Sequence, residues 1–133
     1  MKVIIKNQNG TVGILHPILD CGLTLDEIIA KDVPSGVPYE IVDDSVIHTD
    51  REFRNAWKHD LTVDIAKAQE ITKNRLRAER KPLLETLDVE VMKNITDPVK
   101  LAEIEAQKQV LRDITKVVDT LTTVEELKAV KCQ

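Results

Sequence analysis

The sequence predicts an α+β fold: a small N-terminal ββαβ module over residues 1–48, followed by a helical hairpin region over residues 49–133. Three observations carry this. All four glycines and three of the five prolines fall before residue 40, so the front of the chain is built of turns. Val3-Ile4-Ile5 and Val12-Gly13-Ile14-Leu15 flank Asn9-Gly10, the strongest short-range hairpin signal, because both residues tolerate positive φ. From about Val63 onward, apolar residues recur with helical period for roughly thirty residues.

The elements follow in chain order. A β-hairpin spans residues 2–16. Thr24 caps a short helix over Leu25–Ala30, with Asp26 and Glu27 in its first turn, where the helix dipole favours negative charge. Asp32-Val33-Pro34-Ser35-Gly36-Val37-Pro38 ends that helix, and Tyr39-Glu40-Ile41-Val42 reads as a third strand stopped by Asp43-Asp44. Thr49-Asp50-Arg51-Glu52 has the capping-box pattern, so a helix over 50–58 is expected, with Phe53 and Trp57 on one face, plugging the seam between the β module and the long helices. Ile65, Ala68, Thr72, Leu76, Leu83 and Leu87 form one apolar stripe on a long helix. Pro82 interrupts its hydrogen bonding, so the helix is expected to kink or to restart near Lys81, and the stripe's unbroken phase favours one kinked rod. Asp97-Pro98 is a start signal for a second long helix with the stripe Leu101, Ile104, Leu111 and Ile114, and Glu105 and Lys108 available as a pair on the other side. The short link makes the two helices antiparallel neighbours. Thr122 or Thr123 caps a last short helix. On this assignment Leu83→Asp unfolds the helical pair and Lys73→Glu leaves the fold intact.

Composition narrows the function classes. The 133 residues are 42% hydrophobic and 32% charged, with a net charge of −4, which suits one compact domain or two small ones. Only Tyr39, Phe53 and Trp57 are aromatic, so the core must be aliphatic. No stretch is long and apolar enough for a membrane span, and Asn7 follows too soon after Met1 for a secretory signal, so a soluble chain that is not exported is expected. Cys21 and Cys132 lack metal-site spacing and are expected to be unpaired thiols. His16, His48 and His59 share no motif spacing. Phosphate-binding, nucleophile-elbow and metalloprotease motifs are missing, so neither a catalytic residue, a metal site nor a cofactor is expected.

Charge is distributed unevenly. Residues 1–50 carry three Lys/Arg against eight Asp/Glu, residues 51–81 nine against five, and residues 82–133 seven against ten. Within the basic middle, Lys73, Arg77, Arg80 and Lys81 lie beside the apolar stripe. With Phe53 and Trp57 they are the candidate partner-binding residues. The acid total, the missing aromatic platform and the interruptions at Glu70 and Glu79 argue against nucleic acid as the partner and for a solvated face, or one that meets the chain's own acidic segments or an acidic protein partner.

Several segments over about residues 51–130 stand in a suggestive order: Phe53-Arg54-Asn55-Ala56-Trp57, Val63-Asp64-Ile65-Ala66-Lys67-Ala68, Arg75 through Val89, Gln107 through Ile114, and Thr123-Val124-Glu125-Glu126-Leu127-Lys128. This order resembles the phage tail assembly chaperone type of domain, in which an R-x-x-R…LL…D helix precedes a helix ending in Q-x-L-R-D. Val89 stands where that family often has Trp. The resemblance implies a non-enzymatic bacteriophage or prophage protein that meets a tail or tail-fibre protein in the host cytoplasm during assembly. An alternative is a minor virion tail component, a homo-oligomer packed by its hairpin or β edge. A second alternative, from the residues alone, is a small nucleic-acid-binding regulator using the four cations.

Overall fold

In the computed structural model, which describes residues 1–133, the fold is α+β. Strand β1 (Lys2–Lys6) lies between β2 (Val12–Leu15) and β3 (Tyr39–Val42) in an antiparallel sheet of order β2-β1-β3. Asn7 and Thr11 close the hairpin through the Asn7 N–H donated to the Thr11 carbonyl at 3.1 Å. Asn9 accepts from the Thr11 amide and hydroxyl through Oδ1, and Gly10 takes φ +81°, a conformation that costs glycine little.

Alternation along β1 uses both faces of the sheet. Val3 packs with Ile29 and Val33 of α1 (Leu25–Asp32) and its flank, with Ile5 and Leu15 beside them. Ile4, pointing the other way, packs with Ile47, Trp57 and Leu61, supported by Val12, Ile14, Val42 and Val63. Thr24 caps α1 as expected, and a reciprocal bond to Glu27 completes a capping box.

The helix expected over 50–58 is not formed. Asp50 accepts the Glu52 N–H through its side chain at 3.0 Å, a local alternative to a helical start. A single 3₁₀ turn follows at Arg54–Ala56. Trp57 then adopts an extended conformation and forms an isolated bridge to Val63. The competing force is burial: the tight turn through Leu61 brings both Trp57 and Leu61 onto the second face of the sheet, which a helix through Lys58 would not allow. Leu61 is held at φ +64°, an uncommon conformation for a branched residue. Its carbonyl meets His48 Nε2 at 2.9 Å, and the His48 ring packs edge-on against Trp57.

The chain consequently divides as Met1–Asp64 and Ile65–Gln133, later than the boundary expected at residue 48. Residues 49–64 are the second layer of the β unit, not the beginning of the helical one.

The second unit contains α2 (Ile65–Lys93), α3 (Pro98–Val118) and α4 (Val124–Ala129). Asp97 caps α3 by accepting the Lys100 N–H, with Pro98 in the first turn. Thr123 caps α4 in a second capping box with Glu126. α2 runs unbroken through Pro82, so it does not restart there. Ala78, whose carbonyl loses its usual donor, is exposed, which leaves that oxygen within reach of water.

Antiparallel packing of α2 on α3 is recorded by cross-links whose partners descend on one helix as they ascend on the other: Gln69 to Leu121, Lys73 to Asp119, Arg80 to Arg112, and Lys108 to Asp88. Ala68, Thr72, Leu76, Ile104, Leu111 and Val118 are buried. Buried Thr72 donates its hydroxyl to the Ala68 carbonyl at 2.9 Å, so its polar group costs little. Leu83 departs from the expected stripe. It is 38% exposed, beyond Arg75, Leu76 and Glu79, which bond α4 and the residues that follow it. The anticipated Glu105–Lys108 pair is also replaced: Glu105 binds Arg112, and Lys108 reaches Asp88 across the hairpin.

Candidate functional site

The six sequence candidates separate into structural and exposed residues. Phe53 and Trp57 are both 3% exposed and do not present an aromatic anchor. Lys73 is anchored by Asp119 at 2.7 Å and Glu70 at 3.1 Å, and these hydrogen-bonded carboxylates raise its pKa. Lys73→Glu would set three carboxylates together and break a cross-helix tie, so it is not the neutral surface change that the sequence suggests. Arg80 donates to the Arg112 carbonyl at 3.0 Å. Only Arg77 and Lys81 are exposed, and Arg77 bonds Asn74 within its own turn. Two of the four cations that define the basic stripe therefore serve the hairpin itself.

Arg75, which was not a candidate, organises the C-terminal segment. Its guanidinium donates to the carbonyls of Leu127 and Val130 at 2.9 and 2.8 Å and pairs with Glu79 at 2.8 Å. Glu79 in turn accepts the Cys132 N–H at 3.2 Å, and the Cys132 thiol donates to the Leu76 carbonyl. The Cys132 amide, followed by the Arg75 interaction, holds the Glu79 carboxyl below its ordinary pKa. Burial and then the Glu79 charge push the Cys132 thiol up. A depressed carboxyl pKa contributes stability above the ordinary glutamate range, and that contribution is lost as pH falls through the lowered value. In a Cys21→Ser background, Glu79→Gln is expected to raise the rate of Cys132 modification by a thiol reagent severalfold at neutral pH. An unchanged rate would show that this carboxylate does not hold the segment.

Between α2 and α3 lies a shallow cleft of about 330 Å³, walled by Leu83, Leu87, Val110, Leu111 and Gln133. No titratable side chain lines it. Beside it runs a feature the sequence reading missed. Val99, Ala106, Val110 and Val117 recur at separations of 7, 4 and 7 residues, the spacing of a coiled-coil seam. All four are exposed, Val99 at 72% and Val110 at 66%. The valine spacing was legible in the sequence, but the stripe through Ile104 and Leu111 already accounted for the packing of α3. Met92 and Ile95 extend the exposed apolar surface around the hairpin turn.

Histidines and thiols do not converge. His48 and His59 meet backbone carbonyls of Leu61 and Asn7, His16 is exposed, and both cysteines are free. No group of three or more His, Cys, Asp or Glu side chains is arranged to hold a metal ion. No helix is long and apolar enough to cross a membrane. Comparison with protein-family models, with curated proteins and with solved structures finds no match to the chain.

Proposed function

We propose that this protein works without catalysis, through protein–protein contact, as an assembly accessory of a phage tail or its fibres. The phage context rests on the resemblance of residues 51–130. The contact mode rests on one observation: α3 carries two apolar stripes, and the hairpin covers only one. An uncovered stripe of heptad spacing is suited to an amphipathic helix.

Charge supports one class of occupant. The stripe is interrupted by Glu103 and Asp113, which are drawn to Lys100 at 3.5 Å and Lys116 at 2.8 Å on the same helix. A second copy laid antiparallel in the matching register faces Glu103 with Asp113, and like charges in such a seam disfavour pairing. A helix from a tail protein that presents Lys or Arg at those two positions complements the seam.

Disruption of the gene is expected to yield particles with incomplete tails, while the protein is missing from purified wild-type particles. Val110→Asp should fold, because Val110 is exposed, yet fail to restore assembly. Normal infectious particles from the disrupted gene would overturn the proposal. Retention of the chain at fixed copy number would replace the accessory role with a structural one.

A further inference from the structure

A separate surface lies on the β unit, which the hairpin reading does not use. β3 is an edge strand, and its hydrogen-bonding phase is fixed by the Lys6 N–H donated to the Pro38 carbonyl at 2.9 Å. Bonded and non-bonded pairs alternate along an antiparallel ladder. Ile4–Glu40 and Lys2–Val42 are therefore the bonded pairs, while Tyr39 and Ile41, opposite Ile5 and Val3, turn their N–H and C=O groups away from the sheet.

The side chains of those same two residues share the α1 face with Val3 and Ile5. Tyr39 is 49% and Ile41 43% exposed. Between β3 and α1 runs a furrow of about 430 Å³ bordered by Ile29, Ala30, Val33, Val37 and Tyr39. Natural edge strands are usually protected by lysine, proline or a bulge. Here Pro38 guards only the entrance, and Glu40 is drawn to Lys6 at 3.2 Å. The other edge, β2, has half-buried side chains throughout.

We propose that the outer edge of β3 is a strand-addition site for an extended segment of a partner protein, with aliphatic side chains at alternate positions and basic residues flanking them. Only an extended chain satisfies outward backbone groups two residues apart while also placing alternate side chains in the furrow. The basic flanks follow from charge. Residues 1–64 carry six Lys/Arg against eleven Asp/Glu, Asp26 borders the furrow, and Asp43 follows the strand. A second copy paired across the whole edge would set Glu40 directly against Glu40, which is unfavourable on a sheet.

The test uses the full chain and a lysine-flanked peptide of alternating valine and threonine. Saturable binding is expected to slow amide exchange at Tyr39 and Ile41 by roughly tenfold or more and to shift resonances of Ile29 and Val33. The same peptide N-methylated on the amides that face β3, and a glutamate-flanked version, should each bind at least roughly tenfold more weakly, a loss of about 1.4 kcal/mol. Ile41→Pro removes an outward N–H without removing a bond to β1 and should abolish binding with the sheet intact. If that variant unfolds, the N-methylated peptide decides the matter. Equal binding of the N-methylated or glutamate-flanked peptide, or binding that leaves exchange at Tyr39 and Ile41 unchanged, would overturn the proposal. So would failure of the lysine-flanked peptide to bind alongside self-association that Ile41→Pro abolishes, which would assign the edge to a second copy.

Discussion

Leu76→Asp is expected to abolish folding of the helical unit, and Leu83→Asp, seven residues along the same stripe, to leave it folded. Leu76 is fully buried where α2 packs on α3 and α4, and the Cys132 thiol bonds its carbonyl. Truncating a leucine in such a place costs about 2–5 kcal/mol through lost transfer energy and the residual cavity. An aspartate adds the desolvation of a carboxylate at a fully buried position. Together these exceed the roughly 3–10 kcal/mol expected for a unit of this size. At Leu83 the cleft opens to solvent, the carboxylate stays hydrated, and the cost should remain within about 1 kcal/mol. Far-ultraviolet circular dichroism separates the two: loss of most of the helical signal for Leu76→Asp, and a near-native spectrum for Leu83→Asp. Equal losses would mean that the cleft closes over Leu83 in solution.

The different behaviour of two leucines on one stripe shows where the sequence was informative. Helical period identified α2 and α3, and Asp97-Pro98 located the reversal between them, because capping and proline geometry act over a few residues and are written locally. The same holds for Asn9-Gly10 and for the caps at Thr24 and Thr123. Period alone does not say how far a third element reaches along a face. The cover over Leu76 depends on α4 and on Arg75 bonds that span more than fifty positions in sequence. Which groups the cations of the candidate site meet was not legible for the same reason. Lys73 and Arg80 stand on one helix face as a basic stripe, and only the partner helix reveals that Asp119 and the Arg112 carbonyl occupy them. At Thr49–Glu52 a valid local capping pattern was overruled by non-local burial of Trp57 and Leu61. The β3 edge was recognisable as a strand, but its outward backbone phase required the register against β1.

Trp57→Ala is expected to unfold the β unit. The sheet has only three short strands, and its second face is closed by a cluster in which Trp57 packs with Ile4, Ile47 and Leu61. Removing a buried tryptophan costs about 3–5 kcal/mol, comparable with the whole stability of a unit of about sixty residues. Two further effects act in the same direction. The indole packs against His48, which bonds the Leu61 carbonyl, and that contact helps keep Leu61 at a positive φ that an unsupported leucine would abandon, with strain of order 1–3 kcal/mol. The bridge between Trp57 and Val63 then loses the turn that aligns it. Trp57→Phe retains an aromatic plug at smaller volume and should stay folded with a lowered melting temperature. Amide exchange at Val3, Ile4 and Ile5 gives the measure: protection should vanish in Trp57→Ala and persist in Trp57→Phe. Persistence in both would show that the α1 face alone sustains the sheet, and the residues from Thr49 to Asp64 would then be a dispensable wrap instead of its second layer.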